Sequence, residues 1–210
     1  MSLEIEWYFD FISPFAYIQA RSFNDLSDYA LIRPIPILFA GLLNHFGQKG
    51  PAEIVGKREH TYRYCHWYAN KHGIPFKMPD AHPFNPLVIL RLAILRASTI
   101  DEIIVLFRGV FEQGLLPSTK EYIQWVSAEL GANLIIPNQW TSDVKEQLRL
   151  NTETAIDNQV FGVPTFRSDG MNFWGVDSMD MLKESLTNPN RFRSAEYRRL
   201  NSLGVSQSRN

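Results

Sequence analysis

A serine stands where a short aromatic run, YFDFI at residues 8–12, gives way to a helical pattern. This residue, Ser13, is followed by Pro14, which suits the first position of a helix. In folds that alternate strands and helices, side chains at such a boundary are exposed, and the helix N-terminus offers unpaired N–H donors. Ser13 could therefore hold an anionic atom. It could also be only the N-cap of the helix.

Two further candidate positions lie near the other end of the chain. Pro164, preceded by Val163, comes immediately before a predicted strand at residues 165–168. Asp177 and Ser178 precede the last predicted helix. Pro164 could be only an ordinary trans proline at the start of a strand, and Asp177 could be only a plain N-cap.

The single cysteine, Cys65, excludes an intrachain disulfide and favours a reducing compartment, so we expect a cytoplasmic protein. Its neighbours have a helical pattern, and a small packed apolar side chain is a better interpretation of it than a reactive thiol. The five histidines show no spacing typical of a metal site, so no metal is expected.

The composition is that of a soluble globular protein, with 45% of the 210 residues hydrophobic and 20% charged. A formal net charge of -1 provides no field that would attract nucleic acid or an anionic membrane. The N-terminal sequence lacks the features of a signal peptide, and no apolar stretch reaches the ~18 residues of a membrane span. Small molecules or a second copy of the chain are the expected partners.

The elements that position these residues are predicted from hydrophobic periodicity and turn residues. Glu4 to Phe9 has the pattern of a strand, and the helix after Pro14 is expected to end near Asn24-Asp25. Residues 31–38 alternate apolar residues with two prolines, which indicates an edge strand parallel to the first.

The end of the predicted fold is a hairpin and a helix. Strands at residues 165–168 and 171–174 are joined by Asp169-Gly170, a pair that suits a type I′ turn, and a helix covers residues 179–186. Between the two ends, residues typical of helix starts and helix ends bound a series of helical patterns, and residues 118–121 have the spacing of a capping box. The inserted helices are predicted at residues 57–72, 87–97, 100–112, 118–131 and 141–157.

This order, a βαβ unit first and a ββα unit last, is the plan of an α/β thioredoxin-like fold with a large all-helical insertion. We assign residues 1–45 and 160–188 to a thioredoxin-like domain and 46–159 to the inserted helical domain. Residues 189–210 form a basic C-terminal tail, whose last residues are expected to be loose. In this fold the proline before the hairpin is cis, which predicts a cis bond between Val163 and Pro164.

A thioredoxin-like oxidoreductase has Cys-Pro-x-Cys where this chain has SPFA at residues 13–16. Both sulfur atoms are absent, so disulfide exchange is not expected. The hydroxyl that remains suits a thiolate that comes from another molecule.

Three motifs occur in order along the chain: YFDFISP at 8–14, FGVPTF at 161–166 and FWGVD at 173–177. Together they resemble the 2-hydroxychromene-2-carboxylate isomerase family, relatives of the kappa-class glutathione transferases and of bacterial periplasmic disulfide oxidases. The similarity covers residues 4–187. It implies glutathione as the cofactor, with its thiol against Ser13, its cysteinyl backbone paired with Val163 before Pro164, and its γ-glutamyl end at Asp177 and Ser178.

The resemblance also implies a reaction. A free thiol has a pKa of about 8.5, and lowering that pKa by two units requires about 2.7 kcal/mol. A hydrogen bond from the Ser13 hydroxyl together with the helix N-terminus is of this order. The implied reaction is a cis-trans isomerisation of a small aromatic or conjugated carboxylate, in which the thiolate adds, a carbon–carbon bond rotates and the thiolate leaves.

The expected substrate contacts depart from the family pattern. Family isomerases carry Lys and Asn after the second strand, where this chain has Asn44 and Gln48. Asn85 lies in a segment, HPFNP, that resembles one lining the family's site, although a helix cap is its better interpretation. The lost cation could be replaced by Lys49, Lys57 or Arg58, or each of these could be only a solvated surface charge.

Three functions stay open. The first is a glutathione-dependent isomerase of 2-hydroxychromene-2-carboxylate or a related aromatic carboxylate. The second is a kappa-like glutathione transferase that makes a stable conjugate, and only the substrate pocket separates it from the first. The third is a glutathione-binding module without turnover, which the departures at Asn44 and Gln48 would permit. Family members are commonly dimers, so a homodimer is expected.

Overall fold

A four-stranded mixed sheet joins the two ends of the chain in the computed structural model, which describes residues 3–137 and 139–204. The order across the sheet is β2-β1-β3-β4, with β1 parallel to β2 and antiparallel to β3. β3 and β4 form an antiparallel hairpin. The α/β fold with an all-helical insertion is confirmed. The strands are β1 (Glu4–Phe9), β2 (Leu31–Pro36), β3 (Thr165–Ser168) and β4 (Met171–Trp174).

Two turn-forming features of the sequence have the predicted effect on the sheet. Pro34 and Pro36 cannot donate to a strand ladder, and β2 lies at the edge of the sheet beside β1. Between β3 and β4, Asp169 and Gly170 have φ angles of 48° and 77°. Both values are positive, as a type I′ turn requires, so the predicted hairpin is confirmed.

Most helices lie between β2 and β3. The five helices predicted for the middle of the chain are confirmed, and their ends differ from the predicted ones by no more than two residues. The helices of the sheet-forming ends and the insertion are α1 (Pro14–Ala20), α2 (Phe39–His45), α3 (Val55–Lys71), α4 (Leu87–Leu95), α5 (Ile100–Phe111), α6 (Lys120–Glu129), α7 (Ser142–Asp157) and α8 (Met179–Thr187).

Local signals were misleading at two helix boundaries. The prediction that the first helix ends near Asn24-Asp25 is wrong, because α1 stops at Ala20 and a separate 3-10 turn covers Phe23–Leu26. The apolar ends of that turn, Phe23 and Leu26, are buried in the core, which favours the extra bend. The capping box predicted at residues 118–121 is also wrong. The N-cap of α6 is Thr119, whose hydroxyl accepts from Tyr122 N at 3.2 Å.

Helix α2 was not predicted, and its start explains why. No side chain of its own N-cap bonds to the helix. Instead, the Phe39 N–H donates to Asp10 Oδ2 at 2.8 Å, across 29 positions of the chain. A cap supplied by a distant residue leaves no local signature in the sequence.

One aromatic cluster connects the sheet with the inserted helices. Trp7 and Phe9 of β1 are fully buried, and their ring centroids lie 4.3 Å apart. Phe107 of α5 lies 6.1 Å from Trp7 and 5.8 Å from Phe9, and Phe166 of β3 lies 6.4 Å from Trp7. Burial of these rings therefore stabilises the sheet and the insertion together. The domain boundaries drawn from the sequence stay a prediction.

Beyond α8 the chain continues as two short helices, α9 (Pro189–Phe192) and α10 (Ala195–Asn201). The Phe192 side chain is buried. The predicted loose end concerns residues 205–210, which lie outside the described residues. Within the two described ranges, no helix is both long and apolar enough to cross a membrane.

The shared core gives a stability prediction. Phe107→Ala should lower the free energy of unfolding by about 3–5 kcal/mol, because it removes a ring that contacts both the sheet and the insertion. Leu150→Ala, at a side chain that is 42% exposed, should change it by no more than about 0.5 kcal/mol. Urea unfolding followed by circular dichroism measures both. A loss below about 1 kcal/mol for Phe107→Ala would contradict the shared core.

Candidate active site

A cavity of about 620 Å³ opens where the end of strand β1 meets the start of strand β3, the two central strands of the sheet. Its wall includes the β1–α1 loop, the segment before β3, the segment after β4, and parts of α2 and α3. The register of β1 against β3 pairs Trp7 with Phe166 and Tyr8 with Thr165. The residues that follow β1 and those that precede β3 therefore lie side by side at the same end of these two strands.

Ser13 is 7% exposed and has two hydrogen-bonding partners. Its Oγ accepts from Ala16 N at 3.2 Å, which makes it the N-cap of α1. The same hydroxyl donates to the Val163 carbonyl oxygen at 3.4 Å. The cap predicted as one alternative is present, and it also places the hydroxyl on the cavity wall.

The segment before β3 presents backbone groups to the same cavity. The Val163–Pro164 bond is cis, so the predicted cis proline is confirmed. Apart from the long bond that the Val163 carbonyl accepts from Ser13, the described residues offer no hydrogen-bond partner to the Val163 N–H or C=O. Pro164 is held in place because its carbonyl accepts from Gly175 N at 2.9 Å.

The segment after β4 contributes one of its two predicted residues to the cavity. Asp177 lines the wall and is exposed. The position of the Asp177 carboxylate depends on a glycine at residue 175, because φ there is 83° and a Cβ atom would lie 2.5 Å from Asp177 Oδ1. Ser178 does not line the cavity, and its hydroxyl donates to the Gly175 carbonyl at 3.0 Å.

The three polar residues predicted to contact the substrate are placed differently from one another. Gln48 lines the cavity, but Asn44 is exposed on α2, where Leu43 occupies the wall instead. Asn85 is also exposed and away from the wall. Its Oδ1 accepts from the N–H of Leu87, the first residue of α4, at 3.0 Å, so Asn85 contacts the helix start, but the N-cap is Pro86, one position later than predicted.

Sequence reasoning missed Asp10, three residues before Ser13. Its carboxyl is fully buried and accepts from Ile12 N at 3.0 Å and from Phe39 N at 2.8 Å. Burial raises the pKa of Asp10 to about 7, against the opposing effect of these two N–H donors. Asp10 thus links the Ser13 loop to α2. Its position within the first motif was visible in the sequence, but its burial was not.

Two other polar side chains, also missed, connect the segments around the cavity: Gln19, which is buried, and His82, which is half-buried. Gln19 of α1 accepts from the Trp7 indole N–H at 2.8 Å and donates to the Gly175 carbonyl at 2.9 Å. His82, whose peptide bond to Pro83 is cis, bonds through Nε2 to the Ile12 carbonyl at 2.7 Å. Burial lowers the pKa of His82.

Comparison with known proteins places this architecture in a family. The family profile for the DSBA-like thioredoxin domain matches residues 4–187. The chain belongs to the DSBA-like thioredoxin family. Among solved structures, the chain is similar to a 2-hydroxychromene-2-carboxylate isomerase, with a TM-score of 0.76 and 25% identity over 92% of this chain and 100% of that one.

Two relatives of this DSBA-like thioredoxin domain confirm the resemblance seen in the motifs. The 2-hydroxychromene-2-carboxylate isomerase of Pseudomonas putida is 29% identical, over 87% of this chain and 93% of its own. Glutathione s-transferase kappa 2 of Caenorhabditis elegans is 26% identical, over 88% of this chain and 92% of its own.

The buried Asp10 carboxyl makes stability depend on pH. A carboxyl whose pKa is raised by folding holds its proton in the folded state but loses it in the unfolded state. Stability therefore falls as pH rises between about 4 and 7, and the uncharged Asp10→Asn variant should not show this fall. The free energy of unfolding of the wild type relative to the variant should drop by up to about 4 kcal/mol over that range. Urea titrations at several pH values test this, and a constant difference would contradict it.

Proposed function

We propose that this protein is a glutathione-dependent cis-trans isomerase that acts on 2-hydroxychromene-2-carboxylate or a related aromatic carboxylate. The observation that carries the proposal is the contact between the Ser13 hydroxyl and the Val163 carbonyl on the cavity wall. The similarity to isomerases in sequence and in structure supports an enzyme of this kind.

The thiol for this reaction has to come from another molecule. Positions 13 and 16, where a thioredoxin-like oxidoreductase has cysteines, are Ser13 and Ala16. The single cysteine, Cys65, is fully buried in α3, and burial raises the pKa of its thiol to about 12. A thiol in this state is a poor nucleophile at neutral pH. Glutathione, when bound, supplies the thiolate that adds reversibly to the conjugated substrate and lets a carbon–carbon bond rotate.

Ser13 is suited to hold that thiolate. The hydroxyl has one proton, which it now donates over 3.4 Å to Val163 O, a longer distance than the about 2.7–2.8 Å typical of O–H···O bonds. This bond is weak, so the proton can turn toward an anion at little cost. A hydrogen bond to a charged group contributes about 1.5–3 kcal/mol.

Val163 and Asp177 fit the peptide part of glutathione. The Val163 N–H, without an acceptor among the described residues, and its weakly bonded carbonyl match the donor and acceptor of an extended cysteinyl unit. The exposed Asp177 carboxylate can pair with the γ-glutamyl ammonium. Because the Ser178 hydroxyl already donates to Gly175, we assign the γ-glutamyl carboxylate to backbone N–H groups at the start of α8.

The rest of the cavity suits an aromatic anion. Much of its wall is apolar or aromatic, and two cations, Lys49 and Lys57, also line it. Within residues 3–137 and 139–204, neither lysine has a carboxylate within 4.0 Å. We propose that they replace the lysine that Asn44 does not provide, with Gln48 beside them. The aromatic side chains of the wall are Phe15, Phe39, Tyr64, Phe161 and Trp174.

A kappa-like glutathione transferase is the second candidate, because the relative from Caenorhabditis elegans carries that name. The same residues would hold glutathione, and the conjugate would be released instead of reversing. We also propose a cytoplasmic location, where thiols are kept reduced. The homodimer implied by the family resemblance stays a prediction.

Ser13→Ala should raise the pKa of the bound glutathione thiol by about one unit or more, since it removes a hydrogen bond to the thiolate. Calorimetry first establishes that wild type and variant bind glutathione below about millimolar concentration, and thiolate absorbance is then titrated against pH. Ser194→Ala, which removes an equivalent N-cap from α10, is the matched control and should leave the thiol pKa unchanged. Absence of glutathione binding to the wild type would refute the proposed function.

Turnover separates the two enzyme candidates. The wild type should convert 2-hydroxychromene-2-carboxylate, followed by absorbance, only when glutathione is present, and the glutathione should be recovered unchanged. Accumulation of a stable glutathione conjugate with a generic electrophile, without isomerisation, would instead identify the transferase.

Lys49→Gln and Lys57→Gln should each raise KM for the carboxylate with little change in glutathione affinity.

A further inference from the structure

A tyrosine and a histidine on the cavity wall form a hydrogen-bonded pair that the proposed thiolate chemistry does not use. Tyr62 comes from α3 and His82 from the connection between α3 and α4, and both line the cavity with Ser13. The Tyr62 hydroxyl lies 2.7 Å from His82 Nδ1. His82 Nε2 lies 2.7 Å from the carbonyl oxygen of Ile12, the residue before Ser13.

These contacts determine where the protons lie. The Ile12 carbonyl can only accept, so His82 Nε2 must carry a hydrogen. Burial lowers the pKa of His82 and favours the neutral ring, in which Nδ1 has a lone pair and no hydrogen. The Tyr62 hydroxyl therefore donates to Nδ1. The other group near that hydroxyl, the His82 carbonyl at 3.0 Å, is also only an acceptor.

The Tyr62 oxygen is left with lone pairs and no donor. Across residues 3–137 and 139–204, no N–H or O–H group donates to it. The hydrogen of the Tyr62 hydroxyl is already directed at acceptor atoms of His82, so the Tyr62 oxygen can only accept a hydrogen bond from a ligand. The cavity wall has apolar side chains, among them Ile12, Phe15 and Pro83, together with the hydroxyl groups of Ser13, Thr61 and Tyr64.

We propose that Tyr62 is a specificity-determining residue that accepts a hydrogen bond from the hydroxyl group of an aromatic substrate. His82 acts as its positioning residue, since it fixes the direction of the Tyr62 hydrogen and ties the pair to the Ser13 loop through Ile12. This inference rests on the proposed function and deepens it. It states that the hydroxyl of the substrate, and not only its carboxylate and ring, is recognised next to the sulfur site.

Ligand binding without turnover tests the inference. The probes are trans-2-hydroxycinnamate and cinnamate, two aromatic carboxylates that differ by one hydroxyl group. The wild type should bind the hydroxylated probe about fivefold more tightly, which corresponds to one neutral hydrogen bond. Tyr62→Phe should remove that preference, mainly by weakening binding of 2-hydroxycinnamate, while cinnamate binds as before. Calorimetry measures all four affinities.

The controls separate recognition from a structural effect. Tyr64→Phe removes a hydroxyl from a neighbouring tyrosine of α3 that also lines the cavity, and it should retain the full preference. His82→Ala should reduce the preference by at least twofold although Tyr62 is intact, because the hydroxyl loses its fixed direction. Circular dichroism confirms that each variant is folded, and Tyr62→Phe lacks only one oxygen.

Each result bears on the inference. Equal binding of the two probes to the wild type, or an undiminished preference in Tyr62→Phe, would overturn the role of Tyr62 while leaving the proposed function in place. Loss of the preference in Tyr64→Phe would assign the contact to the other tyrosine and also overturn it. If the wild type binds neither probe, the proposed aromatic carboxylate substrate fails together with this inference.

Discussion

The antiparallel pairing of β1 with β3 is the contact on which the candidate site depends. It joins segments about 160 positions apart in the chain, and it brings Ser13 to the Val163 carbonyl. Neither residue forms a site by itself, since a serine N-cap and a backbone carbonyl are common in proteins. The rings of Trp7 and Phe9, which pack against Phe107, and the ring of Phe166, which packs against Trp7, stabilise this pairing. The hydrophobic core and the site are therefore consequences of the same strand register.

Polar side chains complete what the strand pairing begins. Asp10, Gln19 and His82 each make two contacts that connect segments far apart in sequence. Asp10 joins the Ser13 loop to α2, Gln19 joins β1 to the segment of Asp177, and His82 joins α3 to the Ser13 loop. Polar groups that are buried, as Asp10 and Gln19 are, or half-buried, as His82 is, are costly unless they are satisfied, so they favour one arrangement of the loops. A cavity assembled from several segments is in this way held in one arrangement.

Much of this fold could be predicted from the sequence because its signals are local. Pro34 and Pro36 favour an edge position for β2, and Asp169-Gly170 specifies the hairpin turn. Glycines and prolines bound the inserted helices. Features that depend on tertiary contacts could not be predicted in the same way. The start of α2 relies on a distant carboxylate, and the end of α1 is decided by burial of Phe23.

The same distinction applies to the site. Ser13, Val163, Pro164 and Asp177 could be found because they stand in short motifs, and the structure brings all four to the cavity. Asn44, Asn85 and Ser178 were selected by position in the chain, whereas the direction of a side chain depends on its helix and neighbours. All three lie off the cavity wall. Tyr62 and His82 were missed because their pairing links α3 to a connection 20 positions away.

We propose that a thioredoxin-like fold that lacks both cysteines of the Cys-Pro-x-Cys motif holds the sulfur of a tripeptide at the position of the first missing thiol. A crystal structure of the protein with bound glutathione tests this claim most directly. We predict the glutathione sulfur within hydrogen-bonding distance of Ser13 Oγ and the cysteinyl backbone paired with Val163. Glutathione bound elsewhere, or in the cavity with its sulfur turned away from Ser13, would contradict it.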